Sequence, residues 1–200
     1  MGRGTHTLPI AIRILVLATC LVLCFVPLRA SRHAQHAAAL DLSGSPVDPL
    51  NASPGKVVVL IFVRTDCPIS NRYAPTIQQL STQHDGKVAF WLVYPAKKES
   101  AEMIRKHERE FGYQLPALRD LQHSLVKQSL VQITPEAAVF DAGHRLVYHG
   151  RIDNLYEDFG RARTMATTHE LGDAIQAALN GKMPAADSVP AVGCYISDLE

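Results

Sequence analysis

The sequence predicts an α/β fold in which a central mixed β-sheet is flanked by helices, and three observations carry that expectation. Lys56 to Arg64 and Val88 to Tyr94 are continuous apolar runs, the pattern of strands covered on both faces. Between them Ile69, Tyr73, Ile77 and Leu80 recur at helical spacing, which makes a βαβ unit with two central parallel strands. Two further strand-like runs, Glu136 to Phe140 and Arg145 to Arg151, flank the turn signal Asp141-Ala142-Gly143-His144 and form an antiparallel hairpin, so the sheet is mixed.

The remaining elements follow in order. Leu40 to Asn51 alternates weakly and carries Gly44, Pro46 and Pro49, which suits an edge strand or hairpin leading to the first core strand. Asp85-Gly86 ends the first helix. Ser100 to Phe111 reads as a second helix with Ala101, Ile104 and Phe111 inward and a charged face outward, followed by an extended stretch, Leu115 to Asp120, and a short helix, Leu121 to Leu130. The last helix has capping-box spacing at Thr167 and Glu170, a shared face of Leu171, Ala174, Ile175, Ala178 and Leu179, and a stop at Asn180-Gly181.

The chain has 200 residues, room for one domain of ordinary size, and its 20 basic and 19 acidic residues indicate no polyanionic partner such as nucleic acid. Residues 1–30 contain Arg3, Arg13 and Arg29 but no acid, around the apolar stretch Ile14 to Pro27. This is the pattern of a signal peptide, with Leu28-Arg29-Ala30 as an imperfect cleavage site, or of a membrane anchor shortened by Arg13 and Pro27. Cys20 and Cys24 lie in that leader. Residues 31–39 form a polar linker, 40–180 the folded domain, and 181–200 a tail carrying Cys194. Either fate of the leader places the domain in an oxidising, extracytoplasmic compartment, periplasmic or otherwise exported, where disulfide chemistry persists.

Cys67 is the principal candidate. Val57 to Val63 runs directly into Arg64-Thr65-Asp66-Cys67-Pro68-Ile69-Ser70, so the thiol stands between a buried strand and the first turn of a helix. Unpaired N–H groups at such a turn favour thiolate over thiol, lowering the cysteine pKa from its free value of about 8.5. Arg64 and Arg72 support a thiolate, whereas Asp66 opposes it.

On these residues the chain resembles the thioredoxin-like superfamily, in particular exported redoxin-type thiol oxidoreductases related to the alkyl hydroperoxide reductase and thiol-specific antioxidant group, over about residues 40 to 180. Cys67-Pro68-Ile69-Ser70 lies where such proteins have Cys-x-x-Cys, Pro75 where thioredoxins have a helix-kinking proline, and Thr134-Pro135 where they have a cis-proline. The resemblance implies that Pro135 is cis and packs against Cys67, leaving the Thr134 backbone free to pair with an extended substrate segment. It implies protein or small-molecule disulfides and thiols as substrates, an external reductant as a further partner, and no cofactor.

Departures from the pattern shape the chemistry. Ser70 replaces the second cysteine, so no disulfide closes within the loop. Leu60 and Arg64 stand where the peroxiredoxin pattern has proline and threonine, which argues against a peroxide pocket. Attack by Cys67 on a disulfide leaves a mixed disulfide that another thiol must resolve. Cys194, in the apolar island Ala191 to Ile196, is the candidate: if the final helix leads about 18 Å away from the active-site edge, the tail from Gly181 can span about 45 Å when extended and return. Alternatively Cys194 docks the tail as a buried hydrophobe. Arg151, Asp153 and Asn154 border the thiol in this fold or form a structural ion pair. A copper site from Cys67, Cys194 and His149 and a redox-silent binding module, favoured by Ser70, are the other function classes.

Overall fold

The computed structural model describes residues 1–2 and 39–197. The predicted leader and linker lie outside the described residues apart from Met1, Gly2 and Ala39. Among the described residues no helix is long and apolar enough to cross a membrane.

Twelve strands and five helices make up the described fold. In chain order these are β1 (Ala39–Asp41), β2 (Pro46–Val47), β3 (Val57–Phe62), α1 (Pro68–Arg72), α2 (Ala74–Gln83), β4 (Val88–Tyr94), α3 (Ala101–Phe111), β5 (Ala117–Arg119) and α4 (Ser124–Ser129). There follow β6 (Ile133–Thr134), β7 (Glu136–Phe140), β8 (Leu146–Gly150), β9 (Tyr156–Asp158), β10 (Arg161–Ala162), α5 (Glu170–Leu179), β11 (Ser188–Val189) and β12 (Cys194–Tyr195). Eight strands form one sheet in the order β11-β8-β7-β3-β4-β5-β1-β2. β3 runs parallel to β4 and antiparallel to β7, so the central strand is where the sheet becomes mixed.

Alternation along β3 divides the core. Val57, Val59, Ile61 and Val63 join Ile69, Ile77, Ile104, Leu171 and Ile175, the apolar faces of α1, α2, α3 and α5, on one side. Val58, Leu60 and Phe62 join Leu50, Leu125, Val126 and Val131 on the other. A run buried on both faces thus forces helical cover on both sides of the sheet.

Several local expectations change. The single helix after Cys67 is two, broken at Tyr73, and Pro75 occupies the first turn of α2, where its missing N–H costs nothing. The inward face of α3 is Ile104 and His107, with Ala101 and Phe111 half-buried. The short helix begins at Ser124, because the buried Asp120 carboxylate accepts the N–H groups of Ser124 (2.9 Å) and Val126 (2.9 Å) and holds the preceding turn. The capping box does not form: Asn154 takes the Thr167 and Thr168 N–H groups, and Glu170 pairs with Arg151, so α5 starts after His169 without a side-chain cap.

The segment after α5 belongs to the fold. β11 adds to the sheet edge parallel to β8, with Val189 opposite Gly150. Gly150 has φ of 145°, and a Cβ there would lie 2.2 Å from the Val189 carbonyl oxygen, so the seam requires glycine. β12 then crosses to β6.

Because Ile61 is fully buried in the central strand, replacing it with alanine deletes contacts that the packed sheet cannot refill. Ile61→Ala is expected to cost about 2–5 kcal/mol, read as a lowered urea midpoint at unchanged slope.

Candidate active site

Cys67 ends the loop after β3 as the residue before α1, with extended φ and ψ of −93° and 109°. Its exposure is 0%. The Thr134-Pro135 bond is cis, and the Cys67 thiol donates to the Thr134 carbonyl oxygen at 3.2 Å. Cys67 and the residue before Pro135 are therefore in direct contact.

The Thr134 backbone is not left open as the resemblance implied. It pairs with Cys194 in the antiparallel β6–β12 ribbon, with Tyr195 opposite Ile133. Thr134 Oγ1 donates to the Cys194 carbonyl (3.3 Å), Ile196 N–H donates to Gln132 O (2.9 Å), and Arg64 donates to Tyr195 O (3.3 Å). Ile196, 5% exposed, anchors the end of the ribbon in the second core cluster. Both cysteines are free thiols, with Cys194 half-buried.

Their electrostatics are asymmetric. Burial of Cys67 opposes ionisation most strongly, but the neighbouring Cys194 thiol and the Ser70 and Ile69 N–H groups of the helix start outweigh it, so its pKa is lowered from the ordinary thiol value. Cys194 moves the other way, pushed up to about 11 by burial and then by its bond and charge interaction with Cys67. Of the two thiols, Cys67 is thus the more readily ionised. Ser70 takes no part in a disulfide and is fully buried, its hydroxyl without a hydrogen-bond partner.

The charges around the loop are largely engaged elsewhere. Arg64 pairs with Asp66 (2.9 Å), which also meets Lys98 (3.2 Å), while Arg72 is exposed. Arg151 pairs with Glu170, Asn154 holds Thr167 and Thr168, and Asp153 accepts from the Tyr73 hydroxyl at 2.6 Å. That last bond ties the break between α1 and α2 to the loop after β8. His149 faces Glu136 (3.6 Å), and among the described residues no group of three or more His, Cys, Asp or Glu side chains is placed to hold a metal; Cys67, Cys194 and His149 do not converge.

Two supports were not legible as site residues. Asn71 donates to Thr65 O (3.3 Å), which turns its oxygen to accept from His107 Nε2 (2.8 Å) and leaves Nδ1 to accept from Tyr94 OH (2.9 Å). His107 is therefore neutral, its pKa held down by burial. The helical spacing Ile104, His107, Phe111 was the signal available for it. Glu99, 1% exposed, accepts the Thr65 N–H at 2.6 Å, and its Oε2 has no hydrogen-bond partner. Burial pushes its carboxyl above 4.5 against the opposing Thr65 bonds; no sequence pattern marks it.

Two outcomes follow from these environments. Alkylation of Cys67 should titrate with a midpoint below that of an ordinary thiol, and Cys194→Ala should move it upward by removing the neighbouring thiol, slowing labelling at pH 7 by roughly tenfold per pKa unit. Because the Glu99 pKa is raised, its favourable contribution is complete below 4.5 and is lost as pH rises through the raised value. Glu99→Gln keeps the acceptor for Thr65, so it should raise stability at pH 7 by about 1 kcal/mol or more, with the gain vanishing near pH 4 in urea titrations.

No protein-family model and no curated protein matches the chain. Solved structures do. A hypothetical protein from Sinorhizobium meliloti 1021 aligns over 80% of this chain and 89% of its own with a TM-score of 0.68 at 23% identity. An uncharacterized conserved protein from Geobacillus kaustophilus aligns over 80% and 86%, also at 0.68, with 22% identity. The pneumococcal exposed lipoprotein thioredoxin Etrx1 of Streptococcus pneumoniae aligns over 72% and 98% with a TM-score of 0.52 at 19% identity. At these identities the likeness concerns architecture: the chain has the thioredoxin fold, a central mixed sheet flanked by helices.

Proposed function

We propose that the protein is an exported thiol-disulfide oxidoreductase in which Cys67 is the nucleophile and Cys194 the resolving thiol. The observation that carries this reading is the β6–β12 pairing, which seats Cys194 on Thr134, the residue whose carbonyl the Cys67 thiol touches, beside a sulfur whose pKa is lowered. The apolar leader, flanked by basic residues alone, supports export, and the oxidising compartment it implies suits the chemistry.

In the reductive direction the Cys67 thiolate attacks a substrate disulfide. A bond forms between Cys67 and one substrate sulfur, the substrate disulfide breaks, and the other sulfur leaves as a thiolate that takes up a proton. Cys194 then loses its proton and attacks the Cys67 sulfur of the mixed disulfide. A Cys67–Cys194 disulfide forms, and the second substrate thiol is released. The substrate gains two electrons and two protons, which the protein dithiol loses. An external dithiol resets the protein, and the same steps in reverse oxidise a substrate dithiol. Ser70 cannot resolve the intermediate.

Oxidised protein should yield a peptide cross-linking Cys67 and Cys194 on mass mapping. Cys67→Ser should lose turnover of a disulfide substrate, whereas Cys194→Ser should accumulate mixed disulfides at Cys67. Free thiols in oxidised protein, together with normal turnover by Cys194→Ser, would assign resolution to an external thiol instead.

A further inference from the structure

The strand that supplies Cys194 occupies the backbone edge beside the nucleophile. β12 takes the pairing groups of Thr134 and Ile133, and Cys67 beneath it is 0% exposed. An extended substrate and the tail therefore compete for one place. The tail also shows what that place accepts. Val192 and Ile196 lie two residues either side of Cys194, one packed against the first core cluster and the other buried in the second, while Tyr195 between them is 74% exposed. At Gly193 an added Cβ would lie 2.2 Å from the Thr134 carbonyl oxygen and 2.7 Å from Ile133 Cγ2. The backbone ahead of the cysteine can approach this closely only without a side chain.

Building on Cys67 as the nucleophile, we propose that the tail is a built-in stand-in for the substrate, and that the substrate is an extended peptide segment of a protein whose cysteine follows a glycine and is flanked by aliphatic residues two positions away on each side. The substrate segment displaces β12, pairs with β6 and places its disulfide sulfur at Cys67. Attack forms the Cys67–substrate bond and expels the substrate's partner sulfur as a thiol. Return of β12 then does two things at once: it evicts the substrate strand and delivers Cys194 to the mixed disulfide, releasing the substrate cysteine as a thiol and closing Cys67–Cys194. Specificity and resolution use the same strand position, which explains why a resolving cysteine lies in an apolar, glycine-preceded segment rather than in the loop beside Cys67.

The test uses the full chain, its Gly193→Val and Ile196→Ser variants, and a synthetic peptide of residues 191–197 whose cysteine is activated as a thiopyridyl disulfide. A second peptide carries valine in place of the glycine, and dithiodipyridine serves as a small probe. Thiopyridone release gives the rate, and mass mapping places the product on Cys67. Loosening the tail by either variant should speed reaction with the glycine peptide about tenfold or more, because the open state is a minor one in the parent. The valine peptide should react more slowly than the glycine peptide with all three proteins. Equal peptide rates in parent and variants, or no preference between peptides, would overturn the proposal in favour of small-molecule substrates, even with dithiodipyridine reacting at Cys67. If Cys67→Ser releases thiopyridone at the parent rate with every probe, the assignment of the nucleophile fails instead.

Discussion

The antiparallel pairing of two residues on each side, Ile133–Thr134 with Cys194–Tyr195, is the constraint on which the site depends. It joins parts of the chain some sixty residues apart and converts a one-cysteine loop into a two-thiol centre. So short a ribbon is marginal alone. Here it is held by Ile196 in the core, by Arg64 on the Tyr195 carbonyl, and by β11 fastening the preceding segment to the sheet edge. Backbone pairing brings the cysteine in, and apolar anchoring keeps it there.

Burial and hydrogen bonding act against each other at the sulfur, and the count of donors settles the outcome. A fully buried thiol resists ionisation, yet two backbone N–H groups and a second thiol offset that burial at Cys67. Cys194 has burial and an adjacent sulfur without that donor set, so its proton is held tightly. A difference in acidity between two chemically identical side chains thus arises from surroundings alone.

The loop carrying this chemistry is fixed from beneath by groups that do not touch the sulfur. Glu99 and Asn71 take the N–H and the carbonyl of Thr65, His107 and Tyr94 extend the Asn71 contact into the core, and Asp153 secures Tyr73 where α1 gives way to α2. Each spends a buried polar group on the position of a backbone segment. Glu99 does so at a cost, because one of its oxygens is buried without a partner.

The mixed sheet, its helical cover, the strand-to-helix place of Cys67 and the 136–150 hairpin were all legible in the sequence. They depend on apolar periodicity and turn chemistry, which are local and outweigh competing terms when the run is long, as in Val57 to Val63. Boundaries were less secure where one side chain had two possible partners: Thr167 suits a capping box, but in the folded chain Asn154 claims its N–H. The sequence alone established that Ser70 cannot close a disulfide and that Cys194 has chain enough to reach Cys67. Only the tertiary structure decided that the approach is by strand pairing on Thr134, that Cys67 is fully buried beside this pairing, and that Glu99, Asn71 and His107 brace the loop. Those relations are long-range, set by which polar group finds which partner once the core has closed, and no spacing along the chain encodes them.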